Sequence, residues 1–187
     1  MMDAFLVSTG IVAVAEIGDK TQLLAFLLAS RFRKPIPIVF GILFATVANH
    51  ALAGGLGVWV SSNLSPDLLR WVLGLSFFAV AGWALIPDRM DEEPAQLANL
   101  GIFGTTLFTF FLAEIGDKTQ VATAMLVANY SAFVAVIMGT TLGMMIANVP
   151  AVYLGGGAAQ RLPLKLIRLI AAGTFVLLGI VTLSGAV

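Results

Sequence analysis

The chain has 187 residues, with ten Lys or Arg against ten Asp or Glu, and is 59% hydrophobic but only 11% charged. Soluble domains carry about one quarter charged residues, so this composition belongs to the membrane class. Zero net charge and the lack of a basic tract exclude the electrostatic footprint of nucleic-acid binding. The absence of cysteine excludes disulfides, thiolate metal sites and cysteine nucleophiles.

Apolar windows of about 20 residues, the length that crosses a hydrocarbon core, predict six spans at roughly 4–29, 36–60, 68–86, 99–128, 133–154 and 166–185. The opening MMDAFLV lacks the basic region of a cleaved leader, so the first window is expected to be a retained span. Between the windows, RFRKP, SSNLSPD, PDRMDEEPAQ, ANYSA and GGGAAQRLPLK carry turn and charge signals. None of these connections is long enough to be a domain. The expected fold is all-α, a polytopic membrane protein of six transmembrane helices in a single domain.

The first span holds AEIGDKTQ at 15–22, and the fourth holds the same eight letters at 113–120. A shift of 98 residues superimposes Glu16 on Glu114, Asp19 on Asp117, Lys20 on Lys118, Gly41 on Gly139 and Arg70 on Arg168. Asn49 and Asn148 match after a one-residue slip. The chain therefore reads as two three-span halves, 1–86 and 99–187, joined by an acidic linker at 87–98. Arg31, Arg33, Lys34, Arg89, Arg161, Lys165 and Arg168 fall on one side of the membrane and Arg70 on the other. The positive-inside rule puts the larger group in the cytoplasm and both termini outside. Three spans per half is odd, so the halves insert in opposite senses, as in transporters whose sites lie at a repeat interface.

At about 1.5 Å per residue, Glu16 and Glu114 sit near mid-bilayer. Six ionisable groups at that depth carry an unrelieved insertion cost of roughly 18 kcal/mol, at about 3 kcal/mol each. Facing inward around a cation offsets it. Glu16, Asp19 and Lys20 share one helical face, with Gln22 at its edge, and Gly18 favours local unwinding that frees carbonyls. Two such faces would present Glu16, Asp19, Glu114 and Asp117 as metal ligands to one cavity. Thr21, Gln22, Thr119 and Gln120 could add neutral oxygens. An all-oxygen set suits Mn2+, Ca2+ and Mg2+ better than Zn2+ or Cu ions. Four carboxylates and two lysines leave a formal charge of −2, balanced by one divalent cation or two protons, which makes cation/proton exchange natural. Lys20 and Lys118 admit another reading, since each stands four residues after a glutamate and suits an intrahelical ion pair.

Asn49 and Asn148 suit either interhelical bonding or a supporting role at the site. His50 has no counterpart in the other half, where Val149 follows Asn148, and reads as a core histidine, with a pH-sensing or proton-relay role as the alternative. Asp88, Asp91, Glu92 and Glu93 form a solvated linker that could also attract cations. Gly41-x-x-x-Ala45 and Gly139-x-x-x-Gly143 suit close helix packing and leave room for a homodimer. Pro150 interrupts the ladder of the fifth span, and Gly155–Gly157 mark its end. Trp59, Trp71 and Trp83 read as interface anchors.

Two Glu-x-Gly-Asp-Lys-Thr motifs, one in each half, resemble the cation exchanger family of bacterial manganese exporters and eukaryotic Golgi calcium/manganese–proton transporters. The resemblance covers essentially the whole chain. It implies transport of Mn2+ and Ca2+ against protons, with Glu16, Asp19, Glu114 and Asp117 as ligands and no bound cofactor. The short chain, without the extra N-terminal segment of eukaryotic members, implies a manganese exporter of a bacterial inner membrane. Its partners would be divalent cations, protons and lipid. The alternatives from other classes are a passive cation channel, an intramembrane enzyme and a membrane scaffold. No nucleophile–base pair or open zinc site supports the enzyme.

Overall fold

A computed structural model describes residues 1–86, 100–154 and 164–185. Its helices are α1 (Met2–Glu16), α2 (Lys20–Phe32), α3 (Pro35–Asn63), α4 (Pro66–Ala84), α5 (Gly101–Glu114), α6 (Lys118–Tyr130), α7 (Phe133–Leu154) and α8 (Leu164–Ser184). Pro35 and Pro66 open α3 and α4 at positions where no amide donor is needed. α3, α4, α7 and Lys165–Ser184 of α8 are long and apolar enough to cross a membrane. Pro150 lies inside α7, which runs on to Leu154. The acidic linker, Arg89, Arg161 and Gly155–Gly157 lie outside the described residues.

The first and fourth windows, which hydropathy joins into single spans, are each divided in two. Gly18 (φ 81°) and Gly116 (φ 75°) take the left-handed conformation that stops a helix. Asp19 and Asp117 follow with extended backbone and start the next half-helix. α1 has 15 residues, a reach of about 22 Å, which falls short of a hydrocarbon core of about 30 Å. Each break is braced by its own motif. The Gly18 N–H donates to Gln22 Oε1 and the Gly116 N–H to Gln120 Oε1, both at 2.9 Å.

Glycine seams hold the half-helices against the long ones. A Cβ at Gly139 would lie 2.5 Å from the Phe5 carbonyl oxygen and 3.1 Å from Ser8 Cβ, on α1. One at Gly41 would lie 3.0 Å from the Phe103 carbonyl oxygen and 2.6 Å from Thr106 Cβ, on α5. These two seams match residue for residue at the 98-residue shift. The small-residue spacings therefore serve packing within the bundle.

Two apolar cores result. One joins α1, α4, α6, α7 and α8 around Phe77, Leu126 and Phe175; the other joins α2, α3, α5 and α7 around Leu28, Ile42 and Phe110. α4 and α8 contribute to the first core only.

Candidate cation site

The two breaks bring the motifs together. Glu16, Asp19 and Asp117 each offer a carboxylate oxygen, and these oxygens all lie within 4.8 Å of one another. All three residues are buried, Glu16 completely. Glu114 is as deeply buried but stands outside this trio. The glutamates are held alike. Thr21 Oγ1 donates to Glu16 Oε2 at 2.8 Å, and Thr119 Oγ1 to Glu114 Oε2 at 3.3 Å. The other oxygen of each glutamate, Oε1, has no hydrogen-bond partner among the described residues, so each has capacity left for a cation or a proton.

The lysines cross between the halves. Lys20 Nζ lies 3.3 Å from Asp117 Oδ1, and Lys118 Nζ pairs with Asp19 Oδ1. The intrahelical pairing with Glu16 and Glu114 is not the one the fold makes. The break removes the helical turn that would have aligned the i and i+4 positions. The crossed pairs are unequally covered, with the Lys20 side chain 26% exposed and that of Lys118 only 5%.

The remaining polar residues brace the site rather than line it evenly. Gln120 Nε2 donates to Asn49 Oδ1 at 2.8 Å, and Asn49 Nδ2 donates to the Phe111 carbonyl at 3.1 Å. Gln22 Nε2 donates to the Ala147 carbonyl at 2.9 Å. Both glutamines thus tie a motif to the other half, and Asn49 is engaged at both ends of its amide. Asn148 instead turns Nδ2 back to the Met144 carbonyl at 3.1 Å. The slipped match of the asparagines does not hold in space. Ala147 stands where the shift of 98 puts Asn49, and Asn148 is the counterpart of His50. His50 and Asn148 are both fully buried. Neither ring nitrogen of His50, nor Asn148 Oδ1, has a partner among the described residues. Spacing alone missed the crossed lysines, although duplicated motifs of opposite charges at one depth carried a signal for them.

Long apolar helices around a buried knot of carboxylates and lysines define a multi-pass membrane protein of the kind that handles cations. The family model described as "Divalent cation/proton antiporter GDT1" matches residues 4–92 and 102–187, and the chain belongs to that family. Its members are transporters, not enzymes. The chain is 55% identical to a protein of Vibrio cholerae serotype O1 named "Putative manganese exporter", over 97% of this chain and 91% of that one. It is 29% identical to GDT1-like protein 3 of Oryza sativa subsp. indica, over 94% of this chain and 71% of the relative. A GDT1-like protein of Synechocystis is 28% identical over 97% of both chains. No solved structure matches the chain.

Proposed function

We propose that this chain exports Mn2+ in exchange for protons, with Ca2+ as a second substrate, through one central site shared by both halves. The observation that carries the proposal is the meeting of Glu16, Asp19 and Asp117, drawn from both motifs, within 4.8 Å. An oxygen shell around a Ca2+-sized ion is about 5 Å across, at about 2.3–2.6 Å per bond. Glu114 is the fourth acid of the pocket. Lys20 and Lys118 hold the aspartates when no cation is bound, and Thr21, Gln22, Asn49, Thr119, Gln120 and Asn148 support the shell. The Vibrio relative's name supports Mn2+ as the cargo.

The proposed topology has six spans. α1 with α2 forms one discontinuous span and α5 with α6 another, beside the four long helices. Matched glycine seams and matched braces at the shift of 98 support a duplicated, inverted repeat of 1–86 and 99–187 about the linker 87–98. The one-sided excess of basic residues supports a topology with both termini outside an inner membrane.

The test is Mn2+ entry into proteoliposomes carrying an internal pH dye. Mn2+ added outside should enter and drive protons out, raising the internal pH, with Ca2+ acting the same way. Asp19→Asn and Asp117→Asn should each slow exchange at least about tenfold, ~1.4 kcal/mol. Two protons per Mn2+ carry no net charge. Entry without a pH change would mean a channel, and full exchange by Asp117→Asn would remove the site.

A further inference from the structure

The halves agree closely at the site but differ in what covers it. Over the first break, Ala84 of α4 and Ile167, Arg168 and Ala171 of α8 line a cavity of about 10 Å3 that also reaches Asp19 and Lys118. Ile17 and Gly18 beneath it are only partly exposed. At the second break, the equivalent Ile115 is 55% exposed and Gly116 is exposed as well. The residues that the shift of 98 would place over it are Leu69, Arg70, Leu73 and Thr182. These line a different cleft, of about 280 Å3, against Ala128 and Asn129 near the far end of α6. Helix packing repeats the asymmetry: α8 lies on α1 and α4 on α6, whereas the reciprocal pairs, α4 on α5 and α8 on α2, have no comparable contact among the described residues.

α4 and α8 are themselves tightly joined. A Cβ at Gly74 would fall 2.4 Å from Leu183 Cγ, one at Gly179 would fall 3.2 Å from the Gly74 carbonyl oxygen, and Phe77 stacks on Phe175 with centroids 6.5 Å apart. Interdigitation of this kind moves as a unit. We propose that α4 and α8 are a two-helix gate that docks on one motif break at a time, and that Arg168 and Arg70 alternate beside Asp19 and Asp117. The proposal rests on the inverted-repeat exchange argued above and supplies its moving part. Here the gate covers the first break, buries Lys118 and, among the described residues, leaves the α2 and α5 end uncovered. That end is the cytoplasmic one in the proposed topology. An arginine in the cavity beside Asp19 opposes a cation leaving by that route, so docking seals the site electrically as well as sterically. In the opposite state Leu69 and Arg70 cover Ile115 and Gly116.

The chain has no native cysteine, so cross-links can be placed on it directly. One variant carries Ile17→Cys with Ile167→Cys, and another Ile115→Cys with Leu69→Cys. In reconstituted protein, each pair should form a disulfide that slows Mn2+/proton exchange at least tenfold, with reduction restoring it. Added Mn2+ should change the two cross-linking yields in opposite directions. Arg168→Ala should favour the second pair, and Arg168→Lys should do so less. The gate is overturned if the second pair never forms in a variant that transports when reduced, or if cross-linking the first leaves exchange unchanged. Normal exchange by the reduced variants keeps the transport reading whatever the cross-links do. If the native chain moves no cation, that reading fails, while the opposed cross-link yields still decide the gate.

Discussion

At the site, each aspartate is held by a lysine from the opposite half, so the resting pocket already contains cations, tethered ones. A divalent ion that binds Asp19 and Asp117 must take over their compensation. Removing one partner of a buried pair leaves an uncompensated charge, at about 3–5 kcal/mol, and the loss is smaller where water reaches one partner and screens the pair. Lys118→Met should therefore lower thermal stability in detergent more than Lys20→Met, because Lys118 is the buried one. Mn2+ should restore more of the loss in Lys118→Met than it adds to the native chain, since a ligand that binds the folded state stabilises it by mass action. Equal losses without Mn2+ rescue would make the lysines simple packing charges. Recurrence at one depth made the burial of the four motif acids legible from the sequence, whereas the grouping of Glu16, Asp19 and Asp117 without Glu114 was not. Nor was the crossing of the lysines, because linear spacing offers each only the glutamate of its own motif.

At the level of the elements, two three-residue interruptions decide the fold. Hydropathy windows average over Ile17–Asp19 and Ile115–Asp117 and so return continuous spans. The local chemistry nevertheless pointed to the break at Gly18, a helix-poor residue set between the two acids. The glycines of α3 allow a direct check on packing. A Cβ at Gly57 would fall 2.2 Å from the Ala124 carbonyl oxygen of α6, a backbone atom that cannot swing aside, while Gly55 faces open space. Gly57→Ala should lower the melting temperature, at about 1–3 kcal/mol of overpacking. Gly55→Ala should be neutral or stabilising by up to about 1 kcal/mol, through better helix propensity. Equal shifts at the two positions would show that α3 and α6 do not approach as closely as the seam requires.

Across the whole molecule, the 98-residue shift matches local geometry in several places and fails in one. It survives in the seams, the braces and the breaks, but the slip introduced to pair Asn49 with Asn148 does not. Similarity of side chains misled where backbone register did not, and His50 thereby gained a counterpart. The same register gives a strict test of inversion. Arg33 and Ser131 are equivalent positions, and both end their half-helices with left-handed backbone at φ 53° and 49°. The proposed three spans per half would place such equivalent ends on opposite faces of the membrane. Charge agrees, since Arg31, Arg33 and Lys34 crowd the end of α2 whereas ANYSA carries no charge. Single cysteines at the exposed Ser30 and Ser131 should therefore label differently in intact cells. An impermeant maleimide should reach Ser131→Cys, and Ser62→Cys at the end of α3, at once. It should reach Ser30→Cys only after the membrane is permeabilised. Labelling of Ser30→Cys and Ser131→Cys from the same side would make the halves parallel, and a site built from opposed half-helices could not then open alternately to the two faces.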